Sequence, residues 1–205
     1  MARVKVLVSA ALAGMSIALG GTVFLSLDSK LAGAVCFTVG LFTICLFRLH
    51  LFTGKVCYLF DRDRSYALDL PLIWLGNLLG SWLTALALAQ TRLGPALAAR
   101  AWELCRTKLS DGPLSLFLLA VFCNVLIYLA VEGFAAAPHD LGRYLALFFG
   151  VTVFILCGFE HCVADMYYFS MAGAWSPDAL ARLLLITLGN ALGGVLLPLG
   201  RKLVS

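Results

Sequence analysis

The sequence predicts an all-α membrane protein of six spans, built as two inverted three-helix repeats, with the second and fifth spans broken by loops. Three observations carry that reading. The 205 residues are 62% apolar and only 13% charged, which does not describe a soluble domain. Two apolar stretches, about 31–60 and about 141–171, are interrupted although each is longer than the roughly 20 residues that cross a bilayer as helix. A Gly-Asn motif follows each interruption: Gly76-Asn77-Leu78-Leu79-Gly80 and Gly189-Asn190-Ala191-Leu192-Gly193.

At about 1.5 Å of rise per residue the spans fall near 5–27, 31–60, 69–90, 113–134, 141–171 and 179–200. The first is too long for a signal-peptide core and leads straight into the second, so no cleavable signal is expected. The second is interrupted by Arg48-Leu49-His50-Leu51-Phe52-Thr53-Gly54-Lys55 and the fifth by Gly158-Phe159-Glu160-His161. The spans leave room for a single transmembrane domain, 1–205, with repeats near 5–90 and 113–200. Three spans per repeat is an odd number, so the copies must run in opposite directions, and six in total places both termini on one side.

Backbone can leave helical geometry at membrane depth only where protein or a water-filled cavity satisfies its polar groups. Paired broken helices in two halves of a chain therefore imply a solute path near the midplane. The glycines of both Gly-Asn motifs read as close helix contacts, and Asn77 and Asn190 as hydrogen-bonding braces for the broken loops. The seven cysteines form no CxxC pair and read as packing residues. Nothing in the pattern calls for a cofactor, a metal or a nucleic-acid partner.

Charge placement decides little. One side carries Arg3, Lys5, Arg62, Arg64, Arg143, Arg201 and Lys202; the other carries Lys30, Arg92, Arg100, Arg106, Lys108 and Arg182. The basic segment 91–112 reads either as a solvated basic loop, or an amphipathic helix lying on anionic headgroups, or as an electropositive vestibule that concentrates anions. Inside the spans, Glu160 should be hydrogen-bonded to loop amides or protonated, clamping its loop. Asp165 and Arg48 could pair or could each face water. Lys55 should snorkel toward the near face, or act as an inner attractor for anions.

Leu51-Phe52-Thr53-Gly54, Gly76-Asn77-x-x-Gly80, Cys123-Asn124, Gly158-Phe159-Glu160-His161 and Gly189-Asn190-x-x-Gly193 together resemble the formate/nitrite transporter family, in that family's order, from about Ala10 to Gly200. The resemblance implies an aquaporin-like protomer assembled as a homopentamer with one pore per subunit. It also implies a bacterial or archaeal inner membrane with both termini cytoplasmic. The central histidine falls on His161, its hydrogen-bonding threonine on Thr53, the asparagine of span four on Asn124 and the vestibule lysine on Lys108. The cytoplasmic-side constriction falls on Phe37, Leu41, Leu51 and Phe52, and the outer one on Phe154 with a partner left unassigned. The chain departs from the family in three places: no amphipathic N-terminal helix, Lys55 just past the first break, and Asp165 where Asn is common.

The function expected is passage of a small monovalent weak-acid anion, formate first, with nitrite, hydrosulfide or a larger monocarboxylate such as acetate or lactate as candidates. A full charge moved into apolar surroundings costs many kcal/mol unless dipoles, cations or a proton compensate it. Half-helices after the breaks would aim their N-termini inward, and His161 would exchange a proton with the substrate. The alternative is a pore for a small neutral solute, against which stands the absence of paired Asn-Pro-Ala loops. An intramembrane enzyme using Glu160, His161 and Cys162 or Ser170 lacks any supporting motif.

Overall fold

The computed structural model describes residues 2–204, which form nine α-helices. They are α1 (Ala2–Ser26), α2 (Lys30–Phe47), α3 (Phe52–Lys55), α4 (Arg64–Ala89), α5 (Gly94–Ser110), α6 (Pro113–Ala136), α7 (Asp140–Cys157), α8 (Cys162–Met171) and α9 (Pro177–Val204). Six of them are long and apolar enough to cross a membrane: α1, α2, α4, α6, α7 and α9. Local chemistry sets several starts. The Ser29 hydroxyl accepts the Ala32 N–H (3.3 Å) ahead of α2, and the Asp63 carboxylate accepts the Tyr66 N–H (3.0 Å) ahead of α4. Pro113 opens α6, where its missing N–H leaves nothing unsatisfied.

The two breaks are less central than the sequence suggests. The helices before them, α2 and α7, are each 18 residues long, enough for about 27 Å. The segments after them are short: α8 has 10 residues and α3 only four, followed by a 3-10 turn at Val56–Tyr58. Two carbonyls of α3 also take side-chain donors. Asn124 Nδ2 donates to the Thr53 carbonyl (3.0 Å), and the Tyr66 hydroxyl donates to that of Lys55 (2.7 Å). With four residues, α3 brings much less aligned dipole to the midplane than α8 does.

Both repeats pack alike. α1 lies along α4 and α2, as α6 lies along α9 and α7. A Cβ on Gly80 would collide with the Ala11 carbonyl, and one on Gly193 with the Val121 carbonyl, so the third helix of each repeat touches the backbone of the first. The repeats meet where α2 contacts α7 and α4 contacts α8. Outward positions such as Leu75, Leu83, Leu86, Leu184 and Leu188 stay exposed on the single chain, as an apolar solvent requires.

Six alternating spans put the start of α1 and the end of α9 on one face, the terminal face, and α5 on the other, the loop face. Segment 91–112 proves to be helical. Leu97, Ala101 and Cys105 form a buried stripe on α5 at helical spacing. It rests on α8 and α1, so protein covers the apolar side of this helix. Arg100 is tied to Asp28 (2.5 Å) and the Leu25 carbonyl (2.9 Å). Arg182 holds the end of α5 through the carbonyls of Lys108 (3.1 Å) and Asp111 (2.6 Å).

Candidate functional site

Each break opens on a residue in left-handed conformation: Arg48 (φ 53°, ψ 38°) after α2 and Gly158 (φ 70°, ψ 32°) after α7. Three residues without regular structure follow each one, the last of them extended (Leu51 and His161), and an asparagine secures what comes next. Asn77 Oδ1 accepts the Phe52 N–H (2.8 Å), while its Nδ2 donates to the carbonyls of Ala10 (2.8 Å) and His50 (2.9 Å). Asn190 Oδ1 accepts the Cys162 N–H (2.9 Å), and its Nδ2 donates to the carbonyls of Ala120 (2.8 Å) and Glu160 (2.9 Å). One constant sequence offset carries Arg48 to Gly158, His50 to Glu160, Phe52 to Cys162 and Ala10 to Ala120.

The same offset carries Leu51 to His161, and there the symmetry stops. His161 caps α8: its Nδ1 accepts the Ala164 N–H at 3.1 Å. An acceptor Nδ1 fixes the neutral tautomer with hydrogen on Nε2. That Nε2–H donates to Thr53 Oγ1 at 2.9 Å, joining the two breaks across the protomer. Asn124 holds the other side of Thr53 through the Thr53 carbonyl. Thr53 and Asn124 are fully buried, and His161 is 2% exposed. The Phe154 ring stacks on the imidazole (centroids 5.6 Å apart, 19° between planes), and Phe37 meets Phe154 edge-on at 6.1 Å.

A cavity of about 180 Å³ opens toward the loop face, walled by Lys30, Phe37, Lys108, Phe154, His161 and Asp165. Another of about 260 Å³ lies past the first break, walled by Arg48, Leu51, Lys55 and Phe134 among others. Leu41, Leu51 and Phe52 are buried. Phe37 departs from the expected grouping with them. α2 starts at the loop face, so a residue two turns in sits beside Phe154 and belongs to the loop-face cavity.

The sequence of the formate/nitrite transporter family matches residues 1–201. The chain belongs to the formate/nitrite transporter family. Its relatives include formate-nitrite transporter 2 of Toxoplasma gondii, 34% identical over 184 residues, 78% of this chain and 38% of that protein. The nitrite transporter NirC of Salmonella typhimurium is 29% identical over 212 residues, 92% of this chain and 78% of its own length. The chain thus spans less than half of the Toxoplasma relative and most of the bacterial one. Among solved structures, a pentameric formate channel with formate bound superposes with a TM-score of 0.80 at 25% identity, covering 99% of this chain and 97% of that one. An FNT family ion channel superposes at 0.84 and 26% identity, covering 98% and 90%. The members matched are transporters and channels, not enzymes. Ser170, a candidate of the enzyme reading, bonds the Met166 carbonyl (2.6 Å) and the Trp175 indole (3.1 Å) instead.

The charged residues of this family member are arranged differently from expectation. The Glu160 carboxylate meets the Lys108 ammonium rather than loop amides, because Asn190 already braces the loop through the Glu160 carbonyl. Asp165 also pairs with Lys108, at 2.9 Å, and not with Arg48, which is exposed on the far side of the break. Burial pulls the Lys108 pKa down, but the Asp165 and Glu160 carboxylates outweigh it and raise the value above that of an ordinary lysine. Lys108 is therefore charged yet already matched, and adds no free positive charge to the cavity. Lys30 is the cation that sequence reasoning passed over: it lines the same cavity, and its Nζ donates to the Leu156 carbonyl at 2.9 Å near the end of α7. One signal did point to the Lys108 pairing, since Lys108 continues the buried stripe Leu97, Ala101, Cys105.

Proposed function

We propose that this chain carries a small monovalent weak-acid anion, formate first, across a cytoplasmic membrane of a bacterium or archaeon. The pore runs through each protomer of a homopentamer whose termini lie in the cytoplasm. The observation that supports this best is the hydrogen bond between His161 Nε2 and Thr53 Oγ1, which places a titratable ring and a hydroxyl where two broken helices meet. Formate channels among the solved relatives, one pentameric with formate bound, make formate the first substrate to try. Nitrite follows from the bacterial relatives' names.

In this reading the anion enters the loop-face cavity past Lys30, sheds water between Phe37 and Phe154, and meets the Nε2–H of His161 and the hydroxyl of Thr53. Aromatic walls repel a bare charge, so the step works only if the anion is hydrogen-bonded or protonated there. Proton exchange through His161 requires its Nδ1 to take a proton and release the Ala164 N–H. Leaving that donor unpaired costs about 1–3 kcal/mol. Asn124 keeps Thr53 in register. Leu41, Leu51 and Phe52 close the path on the cytoplasmic side, and Lys55 with Arg48 lines the exit. A pore for a neutral solute is the second reading, favoured by the neutral imidazole tautomer.

The test is flux of formate, nitrite and hydrosulfide into proteoliposomes at several pH values, with native protein and His161→Ala. Saturable, pH-dependent flux of one anion, lost or made pH-insensitive in the variant, is the expected result. Full pH-dependent flux in His161→Ala removes the proton-exchange step. Uptake indifferent to solute charge and pH favours the neutral pore.

A further inference from the structure

Glu160, Lys108 and Asp165 converge in the wall of the loop-face cavity with side chains only 7%, 11% and 1% exposed. Two carboxylates against one ammonium leave one negative charge unmatched. Removing a charge from water without a partner costs several kcal/mol per ion even after relaxation. No neighbouring side chain among the described residues cancels it, and the N-terminal dipole of α8, in whose first turn Asp165 sits, offsets only about half a charge. His161 is held as a neutral ring by the Ala164 N–H. Cys105 on α5, Cys123 on α6, and Cys162, Tyr167 and Tyr168 on α8 bring no positive charge. Arg182 on α9 is bound to Asp178 (2.8 Å) and to the carbonyls at the end of α5, and Lys30 on α2 to the Leu156 carbonyl.

The Asp165 atoms show where the imbalance sits. Oδ1 faces Lys108, whereas Oδ2 is buried with no hydrogen-bond partner, on a residue that walls the cavity. An ionised carboxylate oxygen in that position would be a buried acceptor with no donor, whereas a protonated carboxyl removes both the bare oxygen and the surplus charge.

We propose that Glu160 and Asp165 share one proton at neutral pH, leaving their cluster with Lys108 uncharged, and that the cavity admits a substrate anion only while this proton is present. The proposal rests on the anion-carrying function above and adds a proton site to it. Without the proton, an incoming anion meets a cluster of net charge −1; with it, a neutral cluster that does not repel it. Asp165 acts here as a positioning and charge-setting residue at the mouth of the path. Asparagine in its place would keep an acceptor for Lys108 and remove the need for the proton.

Infrared spectroscopy of the reconstituted native protein reads the proton directly. A protonated-carboxyl band at neutral pH, shifted in heavy water and missing in Asp165→Asn, is expected. Formate flux in proteoliposomes supplies the second readout. Once the shared proton is lost, native flux should fall about tenfold per pH unit, the slope of a single titrating group. Asp165→Asn should escape that fall and exceed native flux at alkaline pH, and Glu160→Gln should do the same should the first variant fold poorly. Absence of the band in native protein, or a variant slope equal to the native one, overturns the proposal. If native protein carries none of the tested anions, the transport reading fails, while the infrared band still decides the proton.

Discussion

Asn77 and Asn190 hold the two helix breaks with the same three hydrogen bonds, each 2.8–2.9 Å long. Each side chain ties the first N–H after its break to the carbonyl two residues earlier and to a carbonyl of the first helix in its repeat. In an apolar solvent those backbone groups have no water to turn to. The asparagines thereby do for the breaks what the intrahelical ladder does elsewhere.

Replacing either asparagine by alanine strands an N–H and a loop carbonyl in the interior, while the Ala10 or Ala120 carbonyl keeps its helix bond. Asn77→Ala and Asn190→Ala should each lower stability by about 2–4 kcal/mol. The midpoint of thermal unfolding in detergent checks this. A shift no larger than that of an exposed leucine-to-alanine control would show the bonds to be dispensable.

The Thr53 hydroxyl accepts from His161, which leaves its own hydrogen available to a substrate. Thr53→Val keeps the shape and removes both roles, so the imidazole N–H loses its acceptor. Flux should drop about tenfold, equivalent to roughly 1.4 kcal/mol. Thr53→Ser should retain most of it. Equal losses in both variants would point to packing instead of hydrogen bonding.

Arg48 and Gly158 sit at equivalent left-handed positions, yet only one is glycine. Nothing lies within 4 Å of a Cβ on Gly158, so space is not the issue there. Backbone conformation alone should make Gly158→Ala destabilising by about 1–2 kcal/mol. Arg48→Gly should be neutral or slightly stabilising, because relief of the left-handed strain is opposed by the greater freedom of glycine in the unfolded chain. Unfolding midpoints for the pair test it. A costly Arg48→Gly would mean that the arginine side chain supplies something the backbone argument omits.

Six spans, the doubling and both breaks were legible because hydropathy and the repeated Gly-Asn motif are local signals. Residues meeting across the breaks could be named only through the family resemblance, as with His161 and Thr53. Partners on distant elements were otherwise hidden from both the spacing and the resemblance. Glu160 and Asp165 belong to one break but find their counter-charge on α5, and Phe37 joins Phe154 because α2 and α7 run antiparallel past each other. The brevity of α3 was also hidden, since no residue marks where it gives way to the 3-10 turn at Val56–Tyr58.

Gly80 and Gly193 offer a last test, one of the doubling itself. A Cβ at Gly80 would overlap the Ala11 carbonyl and one at Gly193 the Val121 carbonyl, both backbone atoms of a long helix that cannot rotate away. Alanine at either site must push the third helix of its repeat off the first, which costs about 1–3 kcal/mol or more. The same displacement would carry Asn77 or Asn190 away from the break it braces, so flux should suffer along with stability. Gly200→Ala is the control: it lies on α9 with nothing within 4 Å of the added carbon. Thermal unfolding and formate flux measured together should show Gly80→Ala and Gly193→Ala impaired in both and Gly200→Ala in neither. Loss of stability with native flux would separate the helix contact from the break, and would mean that each asparagine keeps its grip when its helix moves.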